Sequence, residues 1–332
     1  MSVESKKSVL SAIVGNTIVM FAKFGVFLST GSSAMLAEGI HSLADVMNQS
    51  LLYIGVIKSE NHPDKEHSSG YGRERFIWSL ISAVGIFFLG CGVTIYHGVE
   101  SLLHPHEGHS VNMSVSIGVL IFALVVEGYV LYVAYAGLKK QAGTKPFFDF
   151  VQNEADPSSV AVLMEDAAAC IGVIIAIISI LLTHFTHQHY WDAIGSILIG
   201  ILLGFVAFWL ISRNRDLLIG KSIPDEEIER LKEILREKKF LGKIDHIRTE
   251  VIGADQYDIQ VEIEFDERIL SQTMDLNLKE KYESIQCYED FEKYSLELAV
   301  QSMEKLTRTI DELEQEIQKE LPNTKFIDIE PN

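Results

Sequence analysis

Between about residues 8 and 212 long apolar runs alternate with short polar loops; beyond 213 the chain turns charged and amphipathic. A bilayer-spanning helix needs about 20 consecutive apolar residues. Six runs reach that length: 8–29, 33–57, 76–101, 112–138, 158–183 and 191–212. Gly and Ser inside them suit helices that pack closely in a membrane. In the remainder, Pro224 followed by Asp-Glu-Glu opens a helix reaching Arg236, with proline and acids where a helix start favours them. Asp245–Val251 and Tyr257–Phe265 alternate and are β-branched around Gly253, which predicts a hairpin. A long helix over 288–320 carries Met303, Leu306, Ile310, Leu313 and Ile317 in one stripe. That stripe either packs on the sheet or forms a dimer seam. Phe326–Ile329 reads as a last strand. The expected fold is an α-helical membrane protein with six transmembrane helices (residues 1–213) followed by a cytoplasmic αββαβ, α+β domain (214–332).

Charge sets the orientation. Lys6 and Lys7, then Lys58, Lys65, Arg73 and Arg75, then Lys139, Lys140 and Lys145, then Arg213 and Arg215 all fall on one side, and the loops 30–32, 102–111 and 184–190 hold no Lys or Arg. By the positive-inside rule both termini are cytoplasmic. The first apolar run is too long for a cleaved signal peptide, and no basic, Ser-rich leader precedes it, so a bacterial plasma membrane is the expected location. Composition agrees with a membrane protein, at 48% hydrophobic. The formal charge of −18 is uneven, since residues 221–332 hold 29 Asp and Glu against 16 Lys and Arg, a net of −13. An acidic domain argues against nucleic acid and anionic lipid as its partners. Cys91, Cys170 and Cys287 are far apart and support neither a disulfide framework nor a structural zinc cluster.

The candidate chemistry lies on the second run. His41 and Asp45 are spaced i, i+4, which puts an imidazole and a carboxylate on one helix face. Ionisable groups at membrane depth line ion paths or bind something, and this pair is half of a cage for a divalent transition metal. At ~1.5 Å per residue, Asp45 lies ~18 Å below the outer edge of a ~30 Å core, and Asp166 on the fifth run lies ~12 Å above the inner edge, the same level. Glu165 is next to Asp166 but points about 100° away around the helix. Lys23 and Glu38 fall at similar heights and are expected to pair. Glu127 either lines a vestibule or reaches interfacial water. Asn48 is expected to hydrogen-bond between helices, and Cys170 to pack. His104, His106, His109, His184, His187 and His189 form a rim on the outer loops.

Gly31-Ser-Ser-Ala-Met-Leu-Ala-Glu-Gly-Ile-His-Ser-Leu-Ala-Asp45, Ser69-Gly-Tyr-Gly-Arg-Glu-Arg75, the acidic Leu163-Met-Glu-Asp-Ala-Ala-Ala169 and the long linker after Phe265-Asp266 together resemble the cation diffusion facilitator family. The branch they resemble most holds the animal mitochondrial zinc exporter. The resemblance implies a homodimer in the bilayer that exchanges a divalent metal for protons by alternating access. Zn²⁺ is then a transported substrate, the proton a counter-ion, and no resident cofactor is expected. It implies His41, Asp45 and Asp166 as metal ligands. Val162 stands where the family commonly has a second histidine, so Glu165 or water would complete the set. Losing an imidazole shifts the donors toward oxygen and makes Mn²⁺ or Fe²⁺ less excluded. For the family's second site, His62, Asp64 and His67 are available, but Tyr71 replaces an expected histidine. His246 is the main remnant of the family's tail cluster. An enzyme is not expected: no HExxH is present. A membrane metal sensor that signals through its tail without transporting is the remaining rival.

Overall fold

The computed structural model describes residues 3–104, 113–143, 145–153, 157–253, 256–266, 268–269 and 278–332. They form two compact units, Met1–Ile219 and Gly220–Asn332. The first contains α1 (Val3–Thr30), α2 (Ser33–Ser59), α3 (Glu74–Gly85), a π-helix (Ile86–Val93), α4 (Thr94–Leu103), α5 (Met113–Ala142), α6 (Phe147–Asn153), α7 (Pro157–Thr186) and α8 (Tyr190–Ile219). Gly31, at φ +69°, makes the tight turn from α1 into α2, a backbone conformation that costs glycine little.

Among the described residues five helical stretches are long and apolar enough to cross a membrane, including Glu74–Leu103 as one continuous piece. The sixth expected span, α2, is as long at 27 residues but carries Glu38, His41 and Asp45. It is central: it packs against α1, α3, the π-helix, α4, α7 and α8. Its polar residues therefore meet protein, and the low hydropathy of α2 follows from its place in the bundle. Ala34, Met35 and Ala37 of α2 join Val19, Leu120, Val173 and Ile199 in one core cluster, and Ala44 joins Ala83, Ala168 and Ala207 in another. Small residues let these helices approach closely.

Three features differ from the sequence expectation. The third span is not α-helical throughout, because residues 86–93 widen into a π-helix. A short helix, α6, occupies part of the expected loop after α5; Phe147, Phe150 and Val151 pack it against Leu138, Val160 and Trp209. The last span does not end at 213. Arg213, Arg215 and Asp216 end the apolar stretch, but Asn214 and Leu217 remain buried and the helix runs to Ile219. The units therefore part between Ile219 and Gly220, six residues beyond the expected boundary.

The second unit is a three-stranded sheet with helices. Its elements are α9 (Asp225–Arg236), β1 (Leu241–Gly253), β2 (Gln256–Phe265), α10 (Leu278–Ser284), α11 (Tyr288–Glu320) and β3 (Thr324–Pro331). β2 is central, antiparallel to β1 and parallel to β3. Ile259, Val261 and Ile263 alternate along β2 and bury one face against Leu231 and Leu235 of α9 and Leu313 and Ile317 of α11. Among the described residues the elements given above run αββααβ, with α10 added to the expected set. The stripe on α11 divides: Leu313 and Ile317 are buried on the sheet, whereas Met303 is 73% exposed.

Candidate metal centre in the helix bundle

One end of α2 is pinned by a carboxylate. The Ser32 side chain accepts from the Met35 N–H as N-cap at 3.2 Å. Asp192 of α8 accepts from the Ser32 hydroxyl at 2.7 Å and from the Ser33 N–H. A negative group at a helix N-terminus satisfies free N–H groups and meets the positive end of the dipole. These contacts fix the rotation of α2, and with it the direction of His41 and Asp45.

His41 is 3% exposed. Its Nε2 lies 3.6 Å from Asp45 Oδ1, close enough for charge attraction but too long for a hydrogen bond. The other ring nitrogen, Nδ1, is buried with no partner. Room for it comes from α7, where Gly172 presents bare backbone: a Cβ there would lie 3.4 Å from His41 Nδ1 and 2.7 Å from Glu38 Oε1.

Asp45 interacts electrostatically with both Glu165 and Asp166 of α7. Glu165 Oε2 accepts from the Asn48 amide at 2.6 Å, and Asn48 Oδ1 accepts from the Ser82 hydroxyl at 2.8 Å. Asn48 is therefore the inter-helix hydrogen-bond former its sequence position suggests, and it ties α2 to α3 and α7. Asp166 has a buried oxygen, Oδ2, with no partner. His41 and Asp45 are thus brought together, and Glu165 and Asp166 stand within electrostatic range of Asp45. Among the described residues no three His, Cys, Asp or Glu side chains close around a single point. The donor set is adjacent but open. Val162, one turn before Asp166, is 42% exposed.

Lys23 and Glu38 pair as expected, at 2.8 Å with both side chains buried. Lys23 also reaches Glu127 at 3.0 Å, a partner that depth along the helices does not suggest. α5 is a 30-residue helix, about 45 Å long, so counting from its apolar edge misplaces Glu127, and long side chains span the remaining gap.

The loop after α2 is self-contained. Asp64 accepts from the Glu66 and His67 N–H groups and from the Tyr71 hydroxyl at 2.7 Å. The Tyr71 hydrogen bond, aided by the backbone N–H of His67, holds the Asp64 carboxyl below its usual range, and the same bond pushes the Tyr71 hydroxyl up. The His67 ring lies 4.5 Å from that of Tyr71. Each oxygen of Asp64 is already engaged. On the rim, His184 and His187 have ring centroids 6.4 Å apart; His106 and His109 lie outside the described residues.

A helical bundle with ionisable groups on facing helices in its apolar interior defines a polytopic, ion-handling type of membrane protein. The chain belongs to the cation efflux family: it matches the family's cation efflux transmembrane domain over residues 9–219. It is 37% identical to the human mitochondrial proton-coupled zinc antiporter SLC30A9 across 98% of this chain and 58% of that protein. It is 36% identical to metal tolerance protein C4 of Arabidopsis thaliana, over 98% of this chain and 73% of the relative. The manganese efflux system protein MneP of Bacillus subtilis is 30% identical over 75% of this chain and 80% of its own. The chain spans somewhat over half the length of the SLC30A9 proteins it matches. Its resemblance to the cation diffusion facilitator family, on the side of the mitochondrial zinc exporter, holds.

Proposed function

We propose that this chain is a transporter, not an enzyme, and that it carries a divalent cation, Zn²⁺ first, across a bilayer in exchange for protons. The observation that carries the reading is the His41–Asp45 pair on the central helix, with Glu165 and Asp166 of α7 in electrostatic range of Asp45. His41, Asp45 and Asp166 are the ligands, with Glu165 or water as the fourth. An arriving cation draws these groups inward, because each is close but none is locked onto the others. The open geometry suits cargo that must also leave.

Proton exchange follows from ligand chemistry. Metal requires a neutral imidazole and ionised carboxylates, so binding releases protons and protonation expels metal. Exchange also limits the charge left in a poorly solvated site. The loop charges put both termini on the cytoplasmic side, and two copies are expected to assemble in the bilayer.

A second metal has a specific observation behind it. Three of the four candidate donors are carboxylates, a set that suits Mn²⁺ or Fe²⁺ better than an imidazole-rich cage does. The test is uptake by purified protein in proteoliposomes under a pH gradient, with Zn²⁺, Mn²⁺, Fe²⁺ and Co²⁺ in competition. Zinc should prevail, and Asp45→Ala should abolish uptake of every metal. Normal flux through Asp45→Ala would remove this site from the mechanism.

A further inference from the structure

The bundle holds a second buried charge cluster that metal binding does not use. Lys23 of α1 sits between Glu38 of α2 and Glu127 of α5, donating to Glu38 Oε2 at 2.8 Å and to Glu127 Oε1 at 3.0 Å. The side chains of Lys23 and Glu38 are 1% and 0% exposed, and that of Glu127 is 14% exposed. One cation faces two carboxylates, so the fully ionised cluster carries a net negative charge inside an apolar bundle. Such a charge is costly unless it is paired or neutralised. Each carboxylate spends one oxygen on Lys23; the others, Glu38 Oε1 and Glu127 Oε2, are buried and without a partner.

We propose that Glu127 is a proton-binding site of the transport cycle, separate from the metal ligands. This rests on the antiport reading above. The proton adds to Oε2 of Glu127 and leaves the Lys23–Glu38 pair intact, so the cluster becomes neutral. Glu127 takes it because it alone of the three is not fully enclosed by protein, its side chain being 14% exposed. Glu38 is enclosed by α1 and by Gly172 of α7.

Lys23 from α1 contacts Glu127, and Glu38 and His41 from α2 and Asp166 and Cys170 from α7 interact with it electrostatically. Two of these, His41 and Asp166, belong to the proposed metal site. A divalent cation held there favours the ionised form of Glu127 through space, and its departure favours the protonated form. The proton leaves Glu127 for the aqueous phase from which the cation came, and another returns from the opposite phase once the cation has gone. Coupling thus needs no shared atom.

The test measures protons moved per Zn²⁺ in proteoliposomes, using a pH dye and a zinc dye. Glu127→Gln, which mimics the protonated state, should lower that ratio by one proton whatever its rate, and Glu127→Asp should keep the wild-type ratio. Infrared difference spectra of the wild-type protein should show a carboxylic-acid band that grows as pH falls, shrinks with Zn²⁺ and is missing in Glu127→Gln. An unchanged ratio in Glu127→Gln overturns the proposal, and so does a wild-type carboxylic-acid band that does not respond to Zn²⁺. So does loss of the ratio in Glu127→Asp, which would mark a purely structural role. Wild-type flux indifferent to pH would instead defeat the antiport reading, and the infrared band would then decide on Glu127 alone.

Discussion

The Asn48 amide donates to Glu165 at 2.6 Å and holds that carboxylate one turn along α2 from Asp45. Among the proposed ligands Glu165 is the one held by a neighbouring amide, and Asn48 governs whether it can turn toward the others. Groups that orient a ligand typically cost 10–100-fold in metal affinity or activity when removed. Asn48→Ala is therefore expected to change zinc affinity about tenfold or more by that rule, while Glu165→Gln acts less strongly than Asp166→Asn. Titration calorimetry of the purified protein measures all three; equal effects of Glu165→Gln and Asp166→Asn would give the two carboxylates equal roles.

Position 162 offers a gain of function. Val162 is 42% exposed and lies one turn from Asp166, so a larger side chain fits without overpacking. Val162→His adds an imidazole, which favours Zn²⁺ over Mn²⁺. Competition uptake should move toward zinc by roughly tenfold, the worth of one modest ligand contact of about 1.4 kcal/mol. An unaltered preference would mean that this face of α7 looks away from the cation.

Packing along α8 depends on its glycines. A Cβ at Gly200 would lie 2.6 Å from Ile95 Cγ1 and 3.2 Å from the Ile95 backbone nitrogen. Backbone cannot yield as a side-chain tip can, and overpacking costs about 1–3 kcal/mol. Gly200→Ala is expected to lower the melting temperature clearly. Gly118→Ala, with nothing within 4 Å of its Cβ, is expected to be neutral or to gain slightly from helix propensity. Thermal unfolding in one detergent compares the two, and equal melting temperatures would refute the close approach.

In the second unit the two halves of α11 should respond differently. Leu313 is 2% exposed and Met303 73%. Leu313→Ala should cost about 2–5 kcal/mol, and Met303→Ala should stay within about 0.5 kcal/mol, as surface changes usually do. Denaturant titration followed through the sheet signal separates these outcomes.

Much of this is legible in residue order because buried charge is rare. The i, i+4 spacing of His41 and Asp45 and the Lys23–Glu38 pair follow from helix rise and the cost of lone ions in hydrocarbon. Glu127 escapes such arithmetic, which treats spans as upright rods of equal length. The role of Asn48 follows in kind, but its partners, Ser82 and Glu165, come from three-dimensional packing. Helix α6 has too few residues for periodicity to reveal it. The π-helix is invisible in the pattern because Ile86–Val93 is apolar throughout, so no alternation registers the change of winding.

That winding answers a mismatch of rhythm along the third span. Its buried positions there, Ile86, Gly90, Thr94 and Gly98, recur every four residues. On an α-helix a four-residue repeat creeps sideways by about 40° at each step, which would carry Gly98 well around the cylinder from Ile86. A looser coil has more residues in each turn and slows that creep. Gly90 can then stay on Leu203 while Gly98 stays on Ile197. The span keeps one seam against α8 by changing its pitch, as a thread is recut to fit its nut.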